Sequence, residues 1–212
     1  GFPETQQTIV NLTDVQTVGV YLGEERFDAF QGELLFHERE LDMAAGETIR
    51  RARWRGQSGR EIAIEIRRMA SFDTKELFVL EYAVTSVDYD GPLSFVSLQN
   101  AHVTNFFDPD DPRVAATPHE FLQTEKTFAE GDPAFIVCRT KATGLAMVSA
   151  VAHDYPAGFS KAREIVPGLV TERFEGHIAP GETARLVKRC VFTDARRHGD
   201  PLGSAKALLM GA

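Results

Sequence analysis

Alternation of apolar and polar residues dominates the stretch from Arg39 to Asn105. Within it, for example, Ile62, Ile64 and Ile66 recur at every second position. Successive side chains of a strand point to opposite faces of a sheet, so a period of two over several segments separated by turn residues is typical of half-buried antiparallel strands. The pattern therefore predicts an all-β domain with little helix.

The clearest predicted hairpin turns at Gly56–Gly59 and carries an arginine-rich first strand. Alternation places Arg50 and Trp54 on one face of that strand and three further arginines on the other, namely Arg51, Arg53 and Arg55. This arrangement is typical of a solvated sheet face behind a packed tryptophan. The formal net charge of -8 also disfavours binding to nucleic acid or to an anionic membrane.

Further strand pairs are predicted along the chain, and several of their strands are apolar on both faces. Strands of that kind lie between two layers, so the sequence predicts a large antiparallel β-sandwich. The pattern of the segment 155–167 is ambiguous, and Ser204–Met210 predicts a short helix. The predicted pairs are 77–84 with 93–96, 134–139 with 145–151, and 170–174 with 184–192.

The chain length and the two cysteines indicate the number of domains and the cellular compartment. A chain of 212 residues fits one β-sandwich domain. Cys138 and Cys190 both lie in strand-like apolar runs, which predicts two buried thiols in a reducing, cytoplasmic compartment and leaves open a pair that meets across two strands. No apolar run approaches the roughly 18 residues of a transmembrane helix.

The sequence offers no concentrated catalytic or metal-binding motif. Its six histidines are dispersed, and none accompanies a Cys-x-x-Cys pair, so neither a metal site nor a cofactor is predicted. The acidic cluster Asp108, Asp110 and Asp111 lacks the glycine and the distal glutamate of a calcium loop, and it is interpreted as a solvated turn.

One segment carries a family resemblance. Arg39-Glu40-Leu41-Asp42-Met43-Ala44-Ala45-Gly46, followed by Arg50, resembles the R-x-L-D-M-R-x-G-x-L-x-R pattern in the N-terminal domain of glycoside hydrolase family 65, which contains maltose, kojibiose and trehalose phosphorylases and related hydrolases. The similarity continues through residues 68–72, 89–92 and 103–105 and reaches 180–188. Ala44 and Thr48 depart from the pattern, so the resemblance implies a divergent member.

The resemblance implies a particular architecture and division of labour. It implies a supersandwich of the galactose mutarotase-like kind over residues 1–212, with Gly1–Gln7 as a leader and Ser204–Ala212 as a tail leading to a missing catalytic (α/α)6 barrel. The general acid and the phosphate-binding residues belong to that barrel in the family, so no catalytic residue is assigned to this chain. The implied partners are the barrel, an α-linked disaccharide and a second subunit of a homodimer.

The loop beginning at Asn105 is the candidate contact element. Aromatic rings stack on sugars and short polar groups bind hydroxyls, so Asn105, Phe106, Phe107 and Asp108 are predicted to contact carbohydrate or a neighbouring domain. Asn105 to Pro112 is its predicted extent. An ordinary surface loop is the alternative interpretation.

Two other functions remain open from the sequence. The first is a free-standing carbohydrate-binding sandwich that works without a catalytic partner. The second is a mutarotase-like sugar epimerase, which would need a histidine opposite a carboxylate in one concave groove as general acid and base. His102 or His153 would supply that histidine, although fold analogy alone is the warrant.

Overall fold

A computed structural model describes residues 9–111 and 117–211, and within these ranges the chain forms two antiparallel sheets and one helix. The smaller sheet has the order β11-β12-β7-β1-β2, and the larger sheet has the order β3-β4-β5-β6-β13-β10-β9-β8. The all-β sandwich predicted from alternation is thereby confirmed. The five strands of the smaller sheet are β1 Val18–Leu22, β2 Glu25–Arg26, β7 Gly91–Asn100, β11 Ser160–Val166 and β12 Leu169–Ile178.

The larger sheet contains the predicted arginine-rich hairpin as β4 and β5 and a long edge strand, β3. Its eight strands are β3 Glu33–Asp42, β4 Glu47–Arg55, β5 Glu61–Ala70, β6 Leu77–Ser86, β8 Leu122–Ala129, β9 Ala134–Thr140, β10 Ala146–Asp154 and β13 Thr183–Asp194. The hairpins β4–β5 and β9–β10 pair as predicted. The segment 155–167, whose sequence pattern is ambiguous, contains β11.

Two of the predicted hairpins are wrong. Strands β6 and β7 do not pair with each other, and neither do β12 and β13, because each connection carries the chain from one sheet to the other. β7 instead pairs with β12 and β1, whereas β13 pairs with β6 and β10. Turn residues and alternation are alike in a hairpin and in a connection that crosses a sandwich, which is why the local sequence did not distinguish them.

The core lies between the inner faces of the two sheets. It includes Trp54, Phe95 and Phe174, all fully buried, and the Trp54 ring meets Phe27 edge to face at a centroid distance of 5.4 Å. Trp54 Nε1 donates to the Gln31 carbonyl at 2.6 Å, which satisfies its one polar group. The predicted packed tryptophan is thus confirmed. Cys138 and Cys190 are also buried, and both are free thiols.

Helix α1, Pro201–Gly211, covers part of the larger sheet on its outer face. It contains the predicted helical segment 204–210 and packs Ala205 and Leu209 against Ala150 and Val191. Asp200 caps its N-terminus, because Asp200 Oδ1 accepts a hydrogen bond from the backbone N–H of Gly203 at 3.0 Å. Within the described residues, no helix is long and apolar enough to span a membrane.

The outer face of β3, β4 and β5 carries a network of ion pairs. Arg51 contacts Glu40 at 2.9 Å and Glu65 at 2.8 Å, and Arg67 contacts Glu65 at 2.9 Å. Arg53 and Arg55 both pair with Glu61. The three arginines predicted on one face of β4 therefore form a solvated, paired surface rather than a nucleic-acid patch.

Candidate functional site

The loop predicted to contact sugar or protein follows β7 at one end of the sandwich. The Asn105 side-chain amide donates to the Ile9 carbonyl at 2.7 Å, and its Oδ1 accepts from the Asn11 backbone N–H at 2.9 Å. Asn11 Nδ2 in turn donates to the Thr104 carbonyl at 2.9 Å. The Asn105 amide is therefore engaged in fastening the N-terminal segment to the loop.

The other three predicted residues lie on the loop surface. Phe106 is 73% exposed and Phe107 is 41% exposed. Asp108 closes a turn, with its Oδ1 accepting from the Asp110 backbone N–H at 2.9 Å. Pro112, the predicted end of the loop, lies outside the described residues. The structure thus places two accessible rings on a base that Asn105 fastens, and exposed rings of this kind can stack on a sugar or pack against protein.

A groove lies beside the base of this loop, between the N-terminal segment and the edge of the core. It consists of two adjoining hollows of about 540 and 680 Å³ that share Leu12, Thr13 and Phe192. Asn11 and Thr104 border the smaller hollow, so the loop base forms part of its wall. The larger hollow combines apolar side chains with cations, namely Leu145, Met147, Lys75, Arg196 and Arg197.

A second polar constellation lies buried between the two sheets. His153 on β10 places Nε2 2.8 Å from Ser97 Oγ on β7 and Nδ1 2.6 Å from Glu172 Oε2 on β12. The Nδ1 contact is short but poorly aligned with the ring N–H. Lys161 Nζ lies 3.2 Å from Glu172 Oε1, and the Arg163 guanidinium donates to the same oxygen. Serine, histidine and carboxylate therefore form a chain of contacts across the sandwich.

Burial and neighbouring charge set the protonation states of this cluster. Burial alone would raise the pKa of Glu172, but the contact with His153 and the cations Lys161 and Arg163 outweigh it and lower that pKa to about 2. Burial lowers the pKa of His153 against the opposing effect of Glu172, which favours a neutral imidazole. Burial also lowers the pKa of Lys188 to about 8, and its Nζ donates to the Leu98 carbonyl at 2.6 Å. Contacts within the domain therefore compensate the buried charge of Glu172 and satisfy the Lys188 amine.

The epimerase hypothesis required such a histidine and acid to face an open groove. The side chains of His153 and Glu172 are 1% and 3% exposed, and the space beside them has no volume that would admit even a water molecule. His102, the other candidate, has Nε2 2.9 Å from the Pro167 carbonyl instead of a carboxylate. Neither histidine offers a sugar both a general acid and a general base.

Two other histidines in the described ranges contact carboxylates. His177 Nε2 lies 2.9 Å from Asp90 on an exposed turn, and His198 Nε2 lies 3.4 Å from Glu76. Neither pair lines the groove beside the loop. Residues 9–111 and 117–211 also contain no group of three or more His, Cys, Asp or Glu side chains placed to hold a metal ion.

Sequence reasoning missed Glu172 and Lys188, although a local signal pointed to both. Glu172 alternates with Val170 and Phe174 in β12, and Lys188 occupies the same phase as Leu186 and Cys190 in β13. A charged residue in the apolar phase of a strand is predicted to lie inside a sandwich. The partners that compensate Glu172 come from β10 and β11, and alternation within one strand contains no information about them.

The chain matches a known family over its whole length. Residues 1–212 match the family described as "Glycosyl hydrolase family 65, N-terminal domain". An alpha,alpha-trehalose phosphorylase of Geobacillus stearothermophilus is 37% identical over 205 residues, which cover 94% of this chain and 26% of that protein. A kojibiose phosphorylase of Escherichia coli is 31% identical over 142 residues, which cover 64% of this chain and 18% of the relative.

Two further similarities agree with this match. A glycosyl hydrolase of Mycobacterium tuberculosis, described as uncharacterised, is 31% identical over 197 residues, which cover 91% of this chain and 25% of that protein. The solved structure of a putative kojibiose phosphorylase from the human microbiome aligns with a TM-score of 0.79 at 13% identity, covering 95% of this chain and 25% of that one. This likeness shows the fold. The chain spans about a quarter of the length of the curated relatives that it matches over most of its own length.

Proposed function

We propose, from the premise that this chain belongs to the glycosyl hydrolase family 65 N-terminal domain family, that it is the non-catalytic β-sandwich of an enzyme acting on α-linked glucose disaccharides. The observation that carries the proposal is the match over residues 1–212 to a domain that makes up about a quarter of relatives named trehalose phosphorylase or uncharacterised glycosyl hydrolase. Its role is to support the catalytic (α/α)6 barrel that the family resemblance implies, in the same polypeptide.

The proposal also assigns a place to the loop Asn105–Asp108. Phe106 and Phe107 expose their rings on a base fastened through Asn105, which suits an element that borders the active-site rim or the interface of a homodimer. We further propose a cytoplasmic enzyme, because Cys138 and Cys190 are buried free thiols.

An activity assay tests the central claim. The 212-residue chain and the polypeptide translated from the complete reading frame are each incubated with trehalose, kojibiose or maltose, with and without inorganic phosphate. We expect the complete polypeptide to release glucose or a sugar phosphate from at least one disaccharide and the 212-residue chain to release neither. Turnover by the 212-residue chain alone, or an inactive complete polypeptide, would contradict the proposal.

The role of the loop has its own test. In the complete polypeptide, replacing Phe106 and Phe107 by alanine should raise KM for the disaccharide if the loop borders the active site, or shift the molecular mass towards the monomer if it forms a dimer contact. Phe30→Ala is the matched control, because Phe30 is 98% exposed at a different place on the surface. The loop assignment fails if the double variant behaves as the Phe30 variant does.

A second candidate function is a carbohydrate-binding module, and the groove beside the loop favours it. Its hollows of about 540 and 680 Å³ are large enough for a small sugar and combine apolar with polar walls. Calorimetric titration of the 212-residue chain with glucose disaccharides separates the two functions. Saturable heat supports a binding module, and its absence supports a scaffold.

A further inference from the structure

Two arginines face each other without an acid on the inner side of the larger sheet. Arg39 on β3 is the direct cross-strand partner of Arg50 on β4. Like charges directly opposite each other destabilise an antiparallel pair. Across residues 9–111 and 117–211, neither guanidinium makes an ion pair, and the Nε of Arg50 is buried without a hydrogen-bond partner.

A shortage of acids near β4 does not explain this arrangement. Arg51, next to Arg50 on the same strand, contacts Glu38, Glu40 and Glu65 on the outer face at 3.1, 2.9 and 2.8 Å. The fold thus pairs the outer arginine with three carboxylates and gives its inner neighbour none.

A third arginine joins the pair in one cleft. Arg68 on β5 lies across from Thr48 in register, and its Nη1 donates to the neutral Gln16 Oε1 at 3.2 Å. The three arginines line a cleft of about 440 Å³ together with Leu41, Thr48 and Ile66. Glu40 also borders the cleft, but its carboxylate contacts Arg51 on the outer face at 2.9 Å. We call this hollow, bounded by Arg39, Arg50 and Arg68, the arginine cleft.

The arginine cleft is the uncovered continuation of the sandwich core. Farther along the same sheet face, Leu80 and Tyr82 are buried, whereas Leu41 is 64% exposed. The β3–β4 turn next to the cleft is also apolar, since Met43 is 85% exposed and Phe72, whose ring lies beside Gly46 of that turn, is 87% exposed. Cations surrounded by exposed apolar side chains form a surface that is complementary to an acidic, partly apolar segment of protein.

We propose that the arginine cleft receives a carboxylate-bearing segment of the catalytic part of the same polypeptide, an inference that rests on the proposed function. A carboxylate can accept two parallel hydrogen bonds from one guanidinium and offset the repulsion between Arg39 and Arg50. About three quarters of the length of the matched relatives lies outside the match, which supplies the occupant.

A second copy of the chain suits the cleft less well. A two-fold contact centred on the cleft would bring two sets of the same arginines together. Strand β3, at the edge of the sheet, also carries Glu38, Glu40 and Asp42, and charges along an edge strand oppose pairing with an identical strand.

Hydrogen exchange of the β3–β4 hairpin tests the proposal. We expect residues 39–50 to exchange at least about tenfold more slowly in the polypeptide of the complete reading frame than in the 212-residue chain, because the occupant covers them. In the variant that combines Arg39→Met and Arg50→Met, that difference should disappear. Arg51→Met is the matched control on the opposite face of β4, and it should retain the difference.

The thermal midpoint of the 212-residue chain shows whether the double variant still folds. Because Arg39→Met with Arg50→Met removes a like-charge pair, the thermal midpoint of the 212-residue chain should stay the same or rise. A lower midpoint would show that the arginines stabilise the isolated domain and would overturn the proposal. Equal exchange in the two wild-type proteins, or protection that survives in the double variant, would also overturn it.

Two further measurements are needed. One tests whether a small oxyanion occupies the cleft, and the other distinguishes failure of this inference from failure of the proposed function. Inorganic phosphate titrated into the 212-residue chain should give no tight binding, and a tight site abolished by Arg50→Met would make a small oxyanion the occupant instead. The disaccharide assay is run on the same complete polypeptide. An active enzyme without hairpin protection overturns this inference alone, whereas an inactive polypeptide overturns the proposed function.

Discussion

On the inner face of the larger sheet, the charged side chains at the two ends of one cross-strand row have different surroundings. Its buried end holds His153 and Lys188, which are 4% and 1% exposed and have polar partners on the smaller sheet. Its other end reaches the arginine cleft, where neither Arg39 nor Arg50 makes an ion pair with any residue that the structure describes. In register, the row runs Leu41, Thr48, Arg68, Leu80, Lys188 and His153.

The difference between the two ends is the presence of the second sheet. Where the smaller sheet covers the row, Glu172 on β12 accepts contacts from His153, Lys161 and Arg163, so the enclosed charge is compensated within the domain. An uncompensated buried charge is strongly destabilising. Charge can stay unpaired at the arginine cleft only while that end is open to water, and covering it requires a partner that brings acid.

Replacing the carboxylate of Glu172, at the covered end of the row, should have the largest effect on the stability of the domain. Glu172→Gln leaves Lys161 and Arg163 without their shared carboxylate, and we expect it to lower the free energy of unfolding by about 3 kcal/mol. Denaturant unfolding of the 212-residue chain measures this loss. Glu175→Gln, on an exposed position of the same strand, is the control and should stay within about 0.5 kcal/mol of wild type. Equal losses in both variants would mean that the covered cluster contributes nothing specific.

Lowering the pH should remove the stability that Glu172 contributes, as the Glu172→Gln substitution does. The pKa of Glu172 is lowered to about 2 from an ordinary value of 4.5, so its contribution is present above pH 4.5 and lost as the pH falls towards 2. This loss amounts to about 3 kcal/mol. The lowered pKa of His153 adds a further loss below about pH 6.5, where the unfolded chain binds the proton more readily. Unfolding of wild type and Glu172→Gln across this range should converge at low pH, and parallel curves would contradict the assignment.

Replacing the buried amine should have a smaller effect of opposite sign. Lys188→Met removes a charged group that burial disfavours, at the cost of its hydrogen bond to Leu98, and we expect a gain of about 1 kcal/mol at pH 7. Because the pKa of Lys188 falls from 10.5 to about 8, the stability of wild type relative to Lys188→Met should rise as the pH increases from 8 to 10.5. The difference between the two proteins is the measured quantity, because burial also raises the pKa of Cys190 and so lowers the stability of both above about pH 9. Lys126→Met, at an exposed position on β8, is the control. A difference that does not rise would show that Lys188 is not destabilised by burial.

The sequence contained the strands of both regions but only part of their pairing. Alternation identified β4 and β5, and the turn Gly56–Gly59 joined them correctly, because a hairpin is encoded within one short segment. The pairing of β7 with β12 depends on contacts between residues far apart in the chain, such as Ser97 with Glu172, which are 75 positions apart, and no local pattern determines them. The cross-over connections of the sandwich were therefore misread as hairpins.

The same limit applies to the candidate site. The phase of Glu172 and Lys188 in their strands predicts that both lie inside, but their partners come from other strands. Glu172 contacts the neighbouring strand β11 and β10 of the larger sheet, and Lys188 donates to the Leu98 carbonyl on β7 of the smaller sheet. The opposition of Arg39 and Arg50 follows from the hairpin turn at Asp42–Gly46, where Asp42 Oδ1 accepts from two backbone N–H groups and Gly46 adopts a φ of 70°. Whether that pair is covered depends on how far the smaller sheet extends, which is a property of the whole fold.

Substitution of an arginine on the outer face of β4 should have the smallest effect on the stability of the domain. Arg51 is paired with three acids on a solvated face, and exposed ion pairs contribute little because water screens them and ordering long side chains costs entropy. We expect Arg51→Met to lower the thermal midpoint of the 212-residue chain by no more than about 3 °C. The decrease should shrink between about 0.05 M and about 1 M NaCl, since salt screens exposed charges. A large, salt-independent decrease would mean that the outer network, and not the buried cluster, holds the larger sheet together.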